Sequence, residues 1–298
     1  MERIQLTEDL SFSRIIHGLW RLNEWEMTKE ERLELIEACL ALGITTFDHA
    51  DIYGDYTNER LFGEALALKP ELRDRMEIVT KTGIKMKGNH FSDQSLSFYD
   101  TTKDHIIKQV NRSLQELGVD YVDTLLIHRP DPLMDPNEIA EAFVELKDAG
   151  KVRTFGLSNH TPAQQSLIQS RLPFMLVTNQ LELSVSELKH FEDGSVDLCH
   201  ENEMPLMAWS PLAGGRLFKD EQYAPLREKL AEIAETIGAE EIDEVAYAWL
   251  LKHPARIMPI VGSGKIERIE SAVRSTKLSL TREQWFEILK ASRGRDVD

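Results

Sequence analysis

The sequence predicts an α/β protein, a closed (β/α)8 barrel formed as a single domain over residues 1–298. Three observations lead there. Short β-branched or apolar runs alternate with amphipathic stretches, and such alternation implies crossover connections and a parallel sheet. Eight of these runs occur, which suits a closed barrel better than an open sheet. No GxGxxG follows the first run, so the fingerprint of an open dinucleotide-binding sheet is missing.

In chain order, the first dozen residues read as a small hairpin plugging the barrel bottom. Strands are predicted at 14–17, 44–48, 76–81, 121–127, 152–157, 176–179, 205–209 and 257–261, where apolar and β-branched residues cluster. Helices are predicted at 29–42, 59–68, 103–117, 136–149, 162–170, 225–237 and 242–253, from their amphipathic spacing. Thr28 and Glu31 fit a capping box, and Gly43, Gly118 and Gly150 stand where helix C-caps belong. Residues 82–102 and 210–224 read as long loops over one barrel mouth. No low-complexity linker divides the chain.

Composition narrows the function classes. Apolar residues make up 42% and charged residues 29%, ordinary for a globular enzyme. With 35 basic and 51 acidic residues the formal charge is −16, which argues against binding nucleic acid or an anionic membrane. A local basic pocket for a phosphorylated small molecule remains compatible. Cys39 and Cys199 lie far apart and belong to no CxxC or metal-ligand spacing, so buried thiols are expected. The N-terminus lacks an apolar core segment, and no run approaches the roughly 18 apolar residues of a membrane span. These features predict a cytoplasmic protein with no metal. Oligomeric state is left open, with a monomer compatible.

In such a barrel the active site lies where strands end at their C-terminal side. Asp48 ends the second predicted strand, Lys81 the third, and His128 follows the fourth; Tyr53 lies just beyond the second. Each alone has an ordinary structural reading as a helix cap, a solvated charge, a hydrogen-bonded histidine or a polar-tipped aromatic. Together they make chemical sense. A phenol has a pKa of about 10, and a buried ammonium beside it favours the phenolate. A carboxylate keeps that ammonium charged, and an imidazole orients a carbonyl oxygen. The set could protonate a carbonyl oxygen while a nicotinamide or flavin supplies hydride.

Three segments carry a family resemblance: GITTFDHADIYG at 43–54, VDYVDTLLIH at 119–128 and GKVRTFGLSN at 150–159. Each is long, and their order matches. The sequence resembles the aldo-keto reductase family over nearly its whole length. The resemblance implies a TIM barrel, an NADPH cofactor and reduction of a small-molecule carbonyl. It implies Tyr53 as general acid, Asp48 and Lys81 as its tuners, and His128 as the carbonyl-orienting residue. Gly18, Leu19 and Trp20 are expected by the cofactor, and Trp20, which follows the first strand, and Met86 of the long loop 82–102 are expected to line the substrate pocket. Ser158, Asn159 and Gln180 would hold the nicotinamide carboxamide, and Trp209 would stack on its ring.

Two further segments extend the likeness. Ser210, Leu212, Gly214 and Arg216 lie in SPLAGGR, which resembles a loop folding over pyrophosphate; backbone N–H groups suit phosphate oxygens. Gly262, Ser263, Gly264, Lys265 and Arg268 lie in GSGKIER, where a helix opens after the eighth strand. Small residues, a hydroxyl, two cations and a helix N-terminus suit a phosphate monoester, and the spacing is not Walker A. The resemblance makes that group the 2′-phosphate of NADPH. His49 departs from the family's usual Thr or Ser, and Ser271 and Ala272 depart where many members grip adenine. Two rival readings stand beside the reductase: an NADPH-binding regulatory protein with little turnover, and a Schiff-base aldolase using Lys81.

Overall fold

The structure, a computed structural model, describes residues 1–296 apart from Asn89 and Asp93. Those two, inside the predicted loop 82–102, lie outside the described residues, as do Val297 and Asp298 of the acidic C-terminal end.

An antiparallel hairpin of β1 (Arg3–Gln5) and β2 (Ser11–Ser13) opens the chain. The barrel follows with β3 (Ile16–Gly18), α1 (Lys29–Ala41), β4 (Thr46–Asp48), the short turn α2 (Tyr53–Tyr56), α3 (Asn58–Leu66) and β5 (Glu77–Thr82). A second hairpin, β6 (Ile84–Lys85) and β7 (Phe98–Tyr99), stands in the long loop before α4 (Lys103–Leu117). Then come β8 (Val122–Ile127), α5 (Pro136–Asp148), β9 (Val152–Ser158), α6 (Pro162–Gln169), β10 (Asn179–Glu182), α7 (Ser195–Glu201) and β11 (Met207–Trp209). The chain ends with α8 (Ala224–Ile237), α9 (Ile242–Leu251), β12 (Met258–Val261), α10 (Ile266–Ser275) and α11 (Arg282–Arg293). Eight parallel strands, β3, β4, β5, β8, β9, β10, β11 and β12, close into the expected barrel.

Two apolar layers hold it. Outside, the helices pack on the strands through residues such as Phe47, Phe62, Phe143, Phe155 and Trp249, all fully buried. Each such side chain contributes about 1.5–3 kcal/mol of burial. Inside, Ile16, Val79, Leu126, Met207, Met258 and Ile260 pack against Ile4, Leu10 and Phe12 of the N-terminal segment, which plugs the barrel floor as the sequence suggested. Strand side chains alternate, so residues two positions further along point inward one layer higher. That rule carries Val79 to Lys81, Leu126 to His128 and Met207 to Trp209, from the floor to the mouth.

Four features differ from expectation. The sixth strand is Asn179–Glu182, not 176–179. Leu176 and Val177 are buried, and Val177 and Thr178 already bond the β9 backbone, but pairing with β11 begins only at Gln180, so the strand proper starts later than its apolar run. α7 and α11 were not foreseen, because barrel counting does not require them. α11 packs on α8, and Trp249 and Trp285 stack at 4.6 Å and exchange indole-to-carbonyl hydrogen bonds. The β6–β7 hairpin has strands too short to show a pattern. Cys39 and Cys199 are buried, and burial pushes both thiols up to about 12, as inert core residues. Among the described residues no helix is long and apolar enough to cross a membrane.

Candidate active site

The four predicted catalytic side chains converge at the C-terminal mouth. Lys81 is fully buried at the end of β5 and directs all three of its N–H groups to partners. They reach Asp48 Oδ2 at 2.8 Å, the His49 carbonyl at 2.7 Å and the Tyr53 hydroxyl at 3.0 Å. Tyr53 meets the His128 ring edge to face at 5.8 Å between centroids.

Local sequence explains how Tyr53 gets there. Just past β4, the Tyr53 N–H donates to the Ala50 carbonyl, and Gly54 then turns with φ +60°. A Cβ at Gly54 would collide with the Asn58 side chain at 2.0 Å, so glycine is required on both counts. Asn58 in turn donates to the Leu19 and Trp20 carbonyls, tying the Tyr53 turn to the loop after β3. Gly18 is fixed by packing: a Cβ there would lie 2.6 Å from Ile260 on the neighbouring strand. Leu19 is buried, and Trp20 is 60% exposed at the rim with the Arg21 guanidinium over its ring.

Electrostatics define the starting protonation state. Burial opposes the Lys81 charge, but Asp48 and Tyr53 together outweigh it, and the ammonium is held above the usual lysine range. Burial, with the Lys81 and Arg129 cations adding to it, holds His128 well below its ordinary value, as a neutral imidazole. Burial also pushes the Tyr53 phenol up, and Lys81 pulls it down without cancelling that effect. This corrects the expectation of a lowered phenol. Desolvation of the phenolate exceeds the attraction of a cation already shared with Asp48.

Most of the predicted nicotinamide group is brought together. Gln180 Nε2 donates to Asp48 Oδ1 at 2.8 Å, and Ser158 Oγ to the Gln180 carbonyl at 3.1 Å. Asn159, with φ +62°, donates to Ser158 Oγ at 2.7 Å, and its Oδ1 accepts from Trp209 Nε1 at 3.0 Å. Beyond β11, Ser210 and Ala213 take positive φ, and Gly214 and Gly215 follow at +65° and +92°, so the chain turns sharply there. Leu212 precedes the kinked turn of that loop, and among the described residues Arg216 donates to the Ala213 carbonyl.

The 262–268 segment runs from the open end of β12 into α10. A Cβ at Gly262 would touch the Gly18 carbonyl at an ordinary 3.8 Å, and Ser263 Oγ accepts from the Lys265 N–H at 3.1 Å. A Cβ at Gly264 would press on the Trp25 ring at 2.7 Å, so this residue serves close packing. α10 has no side-chain cap, unlike α1, α4, α5, α6 and α11. Lys265 and Arg268 are exposed, and among the described residues neither forms an ion pair. An uncapped helix start with two free cations fits a phosphate. Further along α10, Ser271 donates to Asp243 and Ala272 is buried, so neither position offers a carboxylate or amide.

Sequence reasoning missed two residues. Arg129 directly follows His128, and its guanidinium lies 5.4 Å from the Trp209 ring centroid. Glu182 stands two residues beyond Gln180 on β10, so it faces the same way. Placing the sixth strand three residues too early hid that periodicity. Met86 stands at the rim, 38% exposed, its N–H donating to the Tyr56 hydroxyl. Among the described residues no cluster of three His, Cys, Asp or Glu could hold a metal ion.

Comparison with known proteins fits this geometry. The model of the Aldo/keto reductase family matches residues 14–293. The oxidoreductase YcsN of Bacillus subtilis is 54% identical, covering 100% of both chains. Oxidoreductase YdhF of Escherichia coli is 51% identical over 96% of this chain and 95% of its own. A 6-dehydroglucose reductase of Agrobacterium fabrum is 43% identical over 100% of both. Among solved structures, an aldo/keto reductase from Klebsiella pneumoniae in complex with NADP and acetate superposes with a TM-score of 0.80 at 22% identity. That match covers 96% of this chain and 93% of the other. The closed strand–helix barrel carries a buried Lys–Asp pair at its mouth, and the relatives that match it over nearly all of their length are oxidoreductases. The chain belongs to the aldo/keto reductase family, and with it to the NAD(P)H-dependent oxidoreductases.

Proposed function

We propose that the chain, acting as one catalytic domain over residues 1–298, is a cytoplasmic NADPH-dependent reductase of small aldehydes or ketones. The observation that carries the reading is the triple engagement of Lys81. Because Lys81 donates to the Tyr53 oxygen, the phenolic proton is free to point into the mouth beside His128. Tyr53, its phenol raised by burial, stays protonated at neutral pH and serves as general acid to the carbonyl oxygen. His128, neutral and with Nδ1 sealed from solvent, orients that oxygen. Asp48 holds Lys81, and Gln180 holds Asp48. Ser158, Asn159, Gln180 and Trp209 shape a neutral, aromatic-walled seat for a nicotinamide, which supplies hydride when bound. Fixing both reactants in one pocket supplies much of the rate.

NADPH is favoured over NADH by the uncapped start of α10 with Lys265 and Arg268 free to meet a phosphate. The Klebsiella structure, solved with NADP, supports the cofactor class. The aldolase rival fares worse. A Schiff-base lysine must shed its proton, whereas Lys81 is held cationic with every N–H occupied. A regulatory protein with little turnover would not require the Tyr53–Lys81–Asp48–His128 set to be intact.

The test is Tyr53→Phe, which keeps the ring and removes the proton. Aldehyde reduction should fall by about 10²–10⁴-fold, while NADPH affinity, read by fluorescence titration, stays within a factor of two to three. Near-normal turnover in the variant removes Tyr53 from the chemistry.

A further inference from the structure

We propose that Tyr56 is a positioning residue. Through it the β6–β7 hairpin and Arg112 hold the turn that carries Tyr53, so that docking of the hairpin and placement of the proton donor are one event. This rests on the reductase reading, since Tyr53 is the group being placed.

Lys81 fixes the Tyr53 oxygen, and the backbone of α2 fixes the ring behind it. That turn is strained. Gly54, Asp55 and Tyr56 take left-handed backbone angles in succession, with φ +60°, +51° and +66°. Residues with a Cβ adopt this conformation singly, not in runs. Such strain persists only where the surroundings over-determine it. The Thr57 hydroxyl closes the turn locally, donating to the Gly54 carbonyl at 2.6 Å. Bonds from distant parts of the fold meet at Tyr56, which is buried.

Arg112 of α4 donates from Nη2 to the Tyr56 carbonyl at 2.8 Å, and its guanidinium lies 5.1 Å from the Tyr56 ring centroid. The Tyr56 hydroxyl donates to the Ile84 carbonyl at 3.1 Å and accepts from the Met86 N–H at 3.0 Å. Gly83 accepts from the Asp100 N–H on the β7 side of the hairpin, so the backbone groups of Ile84 and Met86 face away from β7. One hydroxyl thus occupies the donor and the acceptor that a further strand would pair on that edge. The same loop packs the ring: His90 and Phe91 lie 4.5 Å and 5.3 Å from it between centroids. Arg112 Nη1 meets His90 Nε2 at 3.0 Å, so one guanidinium bonds both the turn and the loop. A Cβ on Gly88 would stand 2.6 Å from Asp55 Oδ1, which brings the loop against the middle of the turn as well. When the hairpin lifts, Tyr56 loses both of its β6 partners and the left-handed run loses part of what sets it. Met86 at the rim moves in the same step.

The experiment compares wild type with Tyr56→Phe, which keeps the ring and its packing, and with Arg112→Met. Each protein is labelled with 3-fluorotyrosine for fluorine NMR, the Tyr53 resonance being the one missing from Tyr53→Phe. The Tyr53 resonance should shift or broaden in both variants. The Met86 amide should exchange its hydrogen roughly 10-fold faster in Tyr56→Phe, because a local opening has lost its restraint. With NADPH and propanal, kcat should fall by roughly 10- to 100-fold, the scale of a small misplacement near the chemistry. NADPH affinity should not change. A hydroxyl that only stabilises the fold would lower the urea midpoint and leave the Tyr53 resonance and kcat unmoved, which overturns the proposal. A lower kcat with an unmoved Tyr53 resonance overturns it too, by placing the effect in the substrate pocket beside Met86. If wild type reduces no aldehyde, the reductase reading fails by itself. The fluorine spectra then decide the coupling of hairpin and turn: an unmoved Tyr53 resonance in both variants overturns it.

Discussion

At the barrel floor, Asp123 is buried between Arg73 at 2.8 Å and Arg153 at 3.3 Å, and also accepts from the Ile78 N–H. Glu77 beside it accepts from Arg3, Thr45 and Thr46. At the mouth, Lys81 and Asp48 are equally well paired, but their surroundings are not. Nδ1 of His128 and Oδ1 of Asp51 are buried with no partner, and just outside the strands, where His17 packs on Phe47 and His49 on Phe62, both nitrogens of each histidine lack one among the described residues. A buried polar atom left unpaired costs about 1–3 kcal/mol. Of these floor groups only Arg73 Nε lacks a partner among the described residues, while the mouth and the layer behind it carry a larger standing cost around the groups that would do chemistry. A barrel tolerates this when the apolar layers and the other end supply the stability.

Removing Lys81 should give the largest effect, because it converts the satisfied centre of the mouth into an unsatisfied one. Lys81→Met leaves Asp48 buried with Gln180 as its one side-chain donor among the described residues. Loss of activity should accompany a stability loss of about 3–5 kcal/mol, the cost of an uncompensated buried charge. Urea denaturation and steady-state rates measure the two. A fully active, stable variant would dispose of Lys81 in both the reductase and the aldolase schemes.

Acid should expose the unsatisfied histidines next. Burial, with the Lys81 cation and His17 adding to it, pushes His49 down to about 3, and burial pushes His17 down to about 4. Above about pH 6.5, the unfolded value, His49 is neutral in both states and its contribution is fully present. Below that, the unfolded chain takes up a proton that the folded one refuses. Stability then falls by about 1.4 kcal/mol per pH unit until the folded value is reached. Asp51 and Glu59, both raised chiefly by burial and Glu59 to about 6, act in the opposite sense, so wild type alone is not diagnostic. Between pH 7.5 and pH 5, wild type should lose roughly 2 kcal/mol more than His49→Thr. Parallel pH profiles for the two proteins would show that His49 does not titrate with unfolding.

The same contrast explains what could be read in advance. Alternating strands and helices are written in hydrophobic period, so the barrel and the plug were legible. Asp48, Lys81 and His128 were legible because each ends or directly follows an apolar run, which in a parallel barrel means the mouth. The Tyr53 phenol was misjudged in direction, since its shift depends on how deeply it is buried, and burial is a tertiary quantity. Arg129 and Glu182 escaped because a lone charge beside a strand looks like solvated surface until its missing partner is seen. α11 escaped because its purpose, stacking Trp285 on Trp249, exists only in three dimensions.

Cofactor preference should show a smaller effect, at the edge of the mouth. Arg268→Ala should weaken NADPH by about 1.5 kcal/mol, the low end for a bond to a charged group, because Arg268 is exposed and solvent screens it. NADH should change little. Paired fluorescence titrations at two salt concentrations test this, and the gap between cofactors should narrow at high salt. Equal losses for both cofactors would place Arg268 on the adenosine or the pyrophosphate.

The smallest effect is expected at the floor, and it is the one that tests whether the two ends are independent. Arg3 is 38% exposed in its pairing with Glu77. Arg3→Met removes one partner from Glu77 but leaves the Thr45 and Thr46 hydroxyls donating to it. A half-exposed pair of this kind contributes about 1 kcal/mol or less, so the urea midpoint should move slightly. kcat and KM should not move, because nothing at the mouth loses a partner. The strands leave one route by which they could. Thr46 and Asp48 share β4, and Glu77 and Lys81 share β5, so a shift at the floor travels along both strands toward the Asp48–Lys81 pair. A fall in kcat with little change in stability would mean that the floor network sets the register of the pair above it. The barrel would then be one coupled polar column instead of two separate ends.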